Sequence, residues 1–261
     1  MTDGAATVQL VPGGLERRTP EIVALGADAP SFSDLFLFMR DAELRVDSLK
    51  MRIVDRRMST LGETEEVSEI WLRHPGRAKV VTRRAGPDEP GISRDFSVWL
   101  ADGAQVRTYD ASSSTATVRP ARQPPVGLDD PDLPPRARVY RPLTDLPFET
   151  VADAFVHPHG FCLNVLTTAR LRLLGTTVLA GDREAYLIRA DHPRTTMVLT
   201  DRPDRRVEVG VDRASGFMLG LTELIGDRVT RDAEVTDLEL DAPFNDDVFR
   251  LHLSPDVRLI Y

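Results

Sequence analysis

One short stretch of this sequence combines side chains that could hold a metal ion. His157, His159 and Cys162 follow one another as His-x-His-x-x-Cys. Imidazole and thiolate are ligands that zinc prefers, but the spacing matches no standard zinc site, and a fourth ligand would have to come from elsewhere. The alternative is structural, because His-Pro-His-Gly breaks a helix and a lone cysteine is usually a small buried residue. We therefore expect neither a metal nor another cofactor.

Other catalytic signatures are missing from the sequence. It contains no Gly-x-Ser-x-Gly or Ser-x-x-Lys nucleophile motif, no Gly-x4-Gly-Lys-Ser/Thr loop and no Gly-x-Gly-x-x-Gly turn. The adjacent acidic residues Glu65 and Glu66 would point to opposite faces of a strand, so they could not cooperate as acid and base. We expect a protein that is not an enzyme; an enzyme would have only His157, His159 and Cys162 as candidates.

Composition narrows the possible partners. The 261 residues carry 33 basic and 41 acidic side chains, a formal charge of -8, which argues against binding nucleic acid or an anionic membrane surface. No run reaches the roughly 20 apolar residues that span a bilayer, so we do not expect an integral membrane protein. The N-terminus, Met-Thr-Asp-Gly, has neither a basic nor an apolar region of a signal peptide, so the chain as written is predicted to be cytoplasmic.

The centre of the chain predicts a series of antiparallel strands. Residues 66–74 alternate apolar and polar side chains and stop at Pro75-Gly76. A basic strand at 77–84, a strand at 94–100 and a strand at 105–109 follow, the last two joined by Asp102-Gly103, a strong hairpin signal. A further strand is predicted at 48–59, with Met51 and Ile53 on one face and Lys50 and Arg52 on the other.

Helices are predicted before and after this central region. Ser31 or Ser33 can cap a helix with one broad apolar face, formed by Phe32, Leu35, Phe36, Phe38, Met39 and Leu44. Residues 148–168 are predicted to form a helical insertion in two pieces, broken at His157-Pro158-His159-Gly160. Between 120 and 147 lie eight of the 19 prolines, which predicts a long loop. Residues 1–30 are predicted to be a flexible tail with room for one short helix near Glu21–Leu25.

The second half predicts strand after strand. The expected ranges are 170–174, 184–190, 196–200, 206–212, 217–225 and 229–240.

The order of several motifs resembles one known superfamily. Trp71-Leu-x-x-Pro75, the basic strand, Trp99, Asp102-Gly103 and Tyr109-Asp110 occur in the order of LolA-like proteins, which include lipoprotein carriers and the sensor domain of RseB/MucB regulators. Later segments resemble the family as well, namely Leu174-Gly175 with Gly181 and Tyr186-Leu, Val209-Gly-Val-Asp212-x-x-Ser-Gly216, and Phe244-Asn-Asp-Asp-Val-Phe249. The resemblance implies an α+β fold, a strongly curved antiparallel sheet with a helical lid, over residues 31–261.

The resemblance also implies a non-enzymatic function. An apolar ligand such as a lipid or acyl chain would lie in the concave face of the sheet, in a carrier or a sensor. The expected wall is Met51, Ile53, Trp71, Trp99 and Tyr109, and the expected lid is Phe36, Phe38 and Met39. The alternative is that these side chains pack on one another and leave no cavity.

A second function stays open, a regulatory module of RseB/MucB type that docks an anti-sigma factor or another regulatory protein. Relatives of this kind are usually exported, whereas this chain as written has no signal peptide; a trimmed sequence, a misassigned start or a cytoplasmic branch would each explain the difference. The carriers also have an arginine before the proline of the Trp-x-x-Arg-Pro stretch, which helps to hold the lid. His74 stands there in this chain, so that role does not carry over.

Overall fold

The computed structural model describes residues 9–11, 15–17, 25, 29–60, 62–85, 95–121, 142–193, 202–253 and 256–260. The helices in these ranges are α1 (Phe32–Arg40), α2 (Val151–Val156) and α3 (Pro158–Asn164), with 3-10 turns at Ala42–Arg45, Leu166–Thr168 and Asp246–Phe249. The strands are β1 (Gln9–Val11), β2 (Leu15–Arg17), β3 (Ser48–Ser59), β4 (Gly62–Arg73), β5 (Arg77–Ala85), β6 (Phe96–Asp102), β7 (Gln105–Asp110), β8 (Thr115–Pro120), β9 (Arg170–Leu179), β10 (Arg183–Asp191), β11 (Arg205–Asp212), β12 (Met218–Ile225), β13 (Arg228–Leu240) and β14 (Arg258–Ile260).

Strands β3 to β14 form one open sheet. Their spatial order is β14-β8-β7-β6-β5-β4-β3-β13-β12-β11-β10-β9, and every neighbouring pair is antiparallel except β14 with β8. Four pairings, β9–β10, β11–β12, β12–β13 and β13–β3, contain a register shift of the kind that bends a sheet. The predicted fold class, an open antiparallel sheet with helical insertions, is confirmed.

The sheet has two faces with different coverings. Partners across an antiparallel ladder share a face, and neighbours along a strand alternate. We call the side of Met51 and Ile53 the inner face; it is covered by α1, α2 and α3, and its side chains join those of the helices in one buried core. We call the side of Lys50 and Trp71 the outer face, which is covered in part by the segment 244–250.

The three helices on the inner face are short. They have nine, six and seven residues, fewer than the roughly 12 that an isolated helix needs in water. Ser31 Oγ accepts from the backbone N–H of Asp34 at 3.1 Å, and Thr150 Oγ1 accepts from that of Asp153 at 3.3 Å, so α1 and α2 have capped N-termini. The helices therefore depend on their packing against the sheet.

Helix α1 rests on the turn between β11 and β12. Arg45 Nη1 donates to the carbonyl of Phe38 at 2.8 Å, and its guanidinium lies 4.1 Å from the centre of the Phe38 ring. Gly216 in the turn has φ +84, and a Cβ there would lie 2.8 Å from the same carbonyl oxygen. Only glycine allows this backbone conformation and this close approach together.

The outer face is crossed by the chain that follows β13. Arg73 donates to the carbonyl of Phe244 and to Asp246, and its guanidinium lies 5.2 and 5.6 Å from the rings of Phe244 and Phe249. Phe249 is 8% exposed and Leu100 on the outer face of β6 is 1% exposed. This segment thus forms a second, smaller apolar layer on the outer face.

Most strand and helix predictions agree with the structure, and the differences have local causes. The strand expected at 170–174 continues to Leu179 because a bulge at Leu174, before Gly175, lets it stay paired with β10. The helix break occurs at His157 alone, since Pro158 fits the first turn of α3. A β1–β2 hairpin lies where a tail was expected, and β14 was not expected at all.

Some predictions fall on residues that the structure does not describe. These are the strand at 196–200, most of the helix near Glu21–Leu25 and most of the proline-rich loop.

Replacing Gly216 tests the seat of α1. Gly216→Ala should lower the free energy of unfolding by about 1–3 kcal/mol, because alanine is strained at positive φ and its Cβ meets a backbone oxygen. Gly160→Ala is the control, since a Cβ at this α3 position has no neighbour within 4 Å, and it should be neutral or stabilising. Urea denaturation of both variants gives the comparison; equal stability would contradict the close contact.

Candidate functional site

We call helices α1, α2 and α3 the lid. The space between the lid and the inner face is filled with apolar side chains. On the sheet, Leu49, Ile53 and Ile70 are each 0% exposed. On the helices and the 3-10 turn that faces them, Met39, Phe155 and Leu166 are also 0% exposed. With zero exposure, these side chains have no water-sized space beside them. At these positions the lid occupies the place where a ligand was expected.

Three of the five expected wall residues lie on the inner face. Met51 pairs with Ile70, Ile70 with Val80, and Val80 with Trp99, which carries one face across four strands. Exposures are 1% for Met51, 0% for Ile53 and 8% for Trp99. Their grouping on the core side follows the prediction, whereas their role toward a ligand stays a prediction.

The other two expected wall residues lie on the opposite face, so the prediction of a common wall is wrong for them. Trp71 pairs with Lys50 and Lys79, and the Lys79 ammonium lies 6.0 Å from the Trp71 ring. Tyr109 pairs with Val98 and packs against Phe96 with ring centres 5.8 Å apart. Both rings are partly exposed on the outer face.

Of the three expected lid residues on α1, two are buried in the core and one is partly exposed. Phe38 and Met39 point into the core with 4% and 0% exposure. Phe36 is only partly buried and lies beside Phe32, with ring centres 6.4 Å apart. Leu37, next to it, is 36% exposed. One edge of the lid therefore presents apolar side chains to solvent.

Cys162 lies inside the lid rather than at a metal site. Its thiol donates to the Met39 sulfur at 3.7 Å, and burial raises the pKa of the thiol to about 12. Within the described ranges no group of three His, Cys, Asp or Glu side chains is placed to hold a metal ion. The sulfur pair joins α1 to α3 through two soft, adaptable side chains.

A buried ionic cluster lies beside the apolar layer, and the sequence reasoning missed it. Glu43, in the 3-10 turn after α1, is 0% exposed. Its Oε2 lies 3.2 Å from His157 Nε2, while His157 Nδ1 lies 2.9 Å from Asp153 Oδ1. The backbone N–H of Leu143 also donates to both Glu43 oxygens, at 3.2 and 3.1 Å. One carboxylate thus holds three separate segments of the lid.

The charge of His157 follows from this environment. Burial by itself would lower the pKa of the imidazole, but attraction to Glu43 and the hydrogen bond with Asp153 outweigh it and raise the pKa to about 9. His157 is therefore positively charged at neutral pH. The cluster could have been suspected from an Asp153-x3-His157 spacing on a helix, although nothing in the sequence pattern points to Glu43.

A second charged cluster lies at the other end of the inner face, toward the β3–β4 hairpin. Asp55 is 1% exposed and receives hydrogen bonds from Arg231 at 2.9 Å and from Arg57 at 3.0 Å. Arg231 also donates to Glu223 at 3.4 Å, and Glu223 pairs with Arg205 at 2.9 Å. The inner face is thus apolar under the helices and ionic beyond them.

His74, which stands where the carriers have arginine, also contacts the lid side of the molecule. Its Nδ1 lies 2.9 Å from Thr144 Oγ1, and that hydroxyl accepts from the backbone N–H of Gly76 at 2.8 Å. Thr144 is 1% exposed. The β4–β5 turn is therefore joined to the same segment, 142–146, that Glu43 holds through Leu143.

An open cavity of about 470 Å³ lies away from these residues. Leu25, Tyr186, Arg183, Asp212 and Arg213 are among its lining side chains. Its two arginines are already engaged, Arg183 with Asp212 at 2.8 Å and Arg213 with Glu184 at 2.6 Å. This cavity contains none of the expected wall or lid residues.

In the described part of the chain no helix is long and apolar enough to cross a bilayer.

The Asp55 cluster can be tested by stability. Asp55→Asn should lower the free energy of unfolding by about 3 kcal/mol, the low end for breaking a buried ion pair, since Arg57 and Arg231 keep 58% and 21% side-chain exposure. Asp204→Asn, which breaks an exposed pair with Arg202, should leave the denaturation midpoint unchanged. An equal loss of stability in both variants would contradict the claim that the buried ion pairs of Asp55 stabilise the fold.

No protein-family model matches the sequence, and no curated protein matches it significantly. Several solved structures align with most of the chain at low identity. An uncharacterised conserved protein from Thermus thermophilus aligns with a TM-score of 0.47 and 10% identity over 88% of this chain and 99% of that one. MucB, in its Pseudomonas aeruginosa complex with MucA, aligns with a TM-score of 0.45 and 18% identity over 84% of this chain and 60% of that one.

A protein of the LolA superfamily from Nitrosomonas europaea is also among the matches, with a TM-score of 0.32 and 11% identity over 85% of this chain and 99% of that one. All three TM-scores lie below 0.5, so these alignments say nothing about the function of this chain.

Proposed function

We propose that the protein binds an apolar ligand, a lipid or an acyl chain, between its helical lid and the inner face of the sheet, as a carrier or a sensor and without covalent chemistry. The observation that supports this most directly is the layer of short helices, each too short to fold alone, over the apolar part of the inner face. Met51, Ile53 and Trp99 on the sheet, and Phe38 and Met39 on α1, would contact the ligand once the lid moves outward.

The ligand would replace the lid as the covering of the inner face. Each methylene group that leaves water contributes about 0.8 kcal/mol, so a sixteen-carbon chain gains up to ~12 kcal/mol before entropy costs. Displacing the lid removes comparable contacts, those of Leu35, Met39 and Phe155, which are all fully buried. Exchange of one apolar covering for another is therefore energetically feasible, whereas an uncovered inner face is not.

Exposed apolar side chains on and beside the lid favour a second function, docking of a regulatory protein. Phe148 is 73% exposed, Leu163 on α3 is 54% exposed, and Leu37 on α1 is 36% exposed. Exposed apolar side chains on neighbouring segments are typical of an interaction surface. In this alternative the lid itself is the contact surface, and the inner face stays closed.

Native mass spectrometry of the protein purified from its own host distinguishes the two functions. We expect a mass above that of the apo chain, with a lipid identified in the organic extract at near-stoichiometric amount. An apo mass together with a co-purifying protein would favour the regulatory module instead. An apo mass alone, with no lipid taken up on incubation with free fatty acids, would contradict ligand binding.

The two tryptophans report on the two faces of the sheet. Trp71→Phe leaves only Trp99 on the inner face, and Trp99→Phe leaves only Trp71 on the outer face. Titration with a sixteen-carbon fatty acid should shift the fluorescence maximum of the first variant, because its indole contacts the ligand, and leave that of the second unchanged. The opposite pattern would place the ligand on the outer face.

A further inference from the structure

The lid carries a buried ionic cluster at its pivot. His157 is the C-cap of α2 and the residue before Pro158, the first residue of α3, so it lies at the corner between the two helices. The corner faces the 3-10 turn after α1 through an ion pair: His157 Nε2 lies 3.2 Å from Glu43 Oε2, outside hydrogen-bond geometry. Any outward movement of α2 and α3 relative to that turn has to separate these two side chains.

The free energy needed to separate His157 from Glu43 depends on whether His157 is charged or neutral. The side chains of His157 and Glu43 are 3% and 0% exposed, so in the closed lid each charge is compensated in large part by the other. A neutral imidazole would remove the positive charge beside the buried Glu43 carboxylate and leave that carboxylate near a second one, Asp153. Buried charges that lose their counter-charge are strongly destabilising.

The charged groups around His157 can be named element by element. Glu43 faces it from the 3-10 turn and Asp153 from α2 itself. Strands β3, β4 and β12, which pack against α2, contribute apolar buried side chains such as Met51, Ile70 and Leu221. Arg40 and Asp41 act on His159, on α3, rather than on His157.

From this geometry we infer that Glu43, His157 and Asp153 form an ionic latch that keeps the lid closed while His157 is protonated and releases it as the proton is lost. The inference rests on the proposed function for its consequence, since an open lid is what admits the ligand. In this proposal, a rise in pH from neutral to alkaline opens the lid over the ligand site.

The direction of the pH effect follows from linkage. The pKa of His157 is raised in the closed state from 6.5 to about 9, so the latch contributes its full stability below pH 6.5 and loses it as pH rises through 9. Opening separates His157 from Glu43 but leaves it beside Asp153 on α2, so the open-lid pKa lies between these two values. From the open-lid pKa up to pH 9 one proton is released on opening, and the equilibrium constant for lid opening should rise with pH by at most about tenfold per unit.

Hydrogen exchange of the ligand-free protein measures this directly. Amide exchange in 151–164, corrected for the intrinsic pH dependence of exchange, should accelerate as pH rises from 6.5 to 9, by at most about tenfold per pH unit. Exchange in β3 and β4 should not accelerate in this way. A corrected rate in the lid that is flat over this range would overturn the latch.

Two variants separate the latch from general damage to the fold. Glu43→Gln with His157→Gln replaces both charges by amides, which should preserve a closed lid at pH 7 but abolish its pH dependence. His159→Gln is the matched control on α3; burial lowers the pKa of His159, so it titrates below the tested range and the slope should persist. A slope retained by the double variant, or lost in the control, would overturn the assignment.

Failure of the latch and failure of ligand binding give different results. Uptake of a sixteen-carbon fatty acid should be faster at pH 9 than at pH 7 in the wild type, and equal at both in the double variant. If exchange shows the slope but no fatty acid binds at either pH, the latch stands and the proposed ligand is wrong. If fatty acid binds equally at both pH values while exchange is flat, ligand binding stands and the latch is wrong.

Discussion

The inner face of the sheet is apolar and has to be covered, and the rest of the structure follows from this requirement. An open sheet of twelve strands cannot close on itself to bury that face, as a barrel would. The covering consists of three helices too short to fold alone, inserted before β3 and between β8 and β9. Sheet and lid therefore stabilise each other, and whatever covers the inner face determines the state of the lid.

The charged clusters mark the two ends of this apolar layer. Asp55 and its arginines lie at the end toward the β3–β4 hairpin. Glu43 and His157 lie on the lid side, where the segment returning at 142–146 meets α2. Both carboxylates are buried and both have cationic partners, but only the second cluster contains a histidine, whose pKa is raised to about 9. Both clusters thus stabilise the closed structure, and the one on the lid side can respond to pH.

The sequence predicted the sheet better than the site, for physical reasons. Alternation along β3 and the turn signals at Pro75-Gly76 and Asp102-Gly103 are local, so the strands and their order could be inferred. Trp71 and Tyr109 were assigned to the wrong face because an aromatic residue on a strand suggests the core, whereas in β4 the neighbours of Trp71, Ile70 and Leu72, occupy the inner face. The pair of Glu43 and His157 joins distant parts of the chain, and no local pattern indicates it.

Cys162 offers the most direct test of the central claim, that a ligand binds under the lid by displacing it. It is the only cysteine of the chain, 2% exposed and in contact with Met39 across the α1–α3 interface. The measurement is its rate of reaction with a small uncharged maleimide at constant pH, with and without saturating sixteen-carbon fatty acid. The account predicts a clear acceleration with the ligand, because α3 leaves its place on α1. An unchanged or slower rate, with binding confirmed by native mass spectrometry, would contradict it.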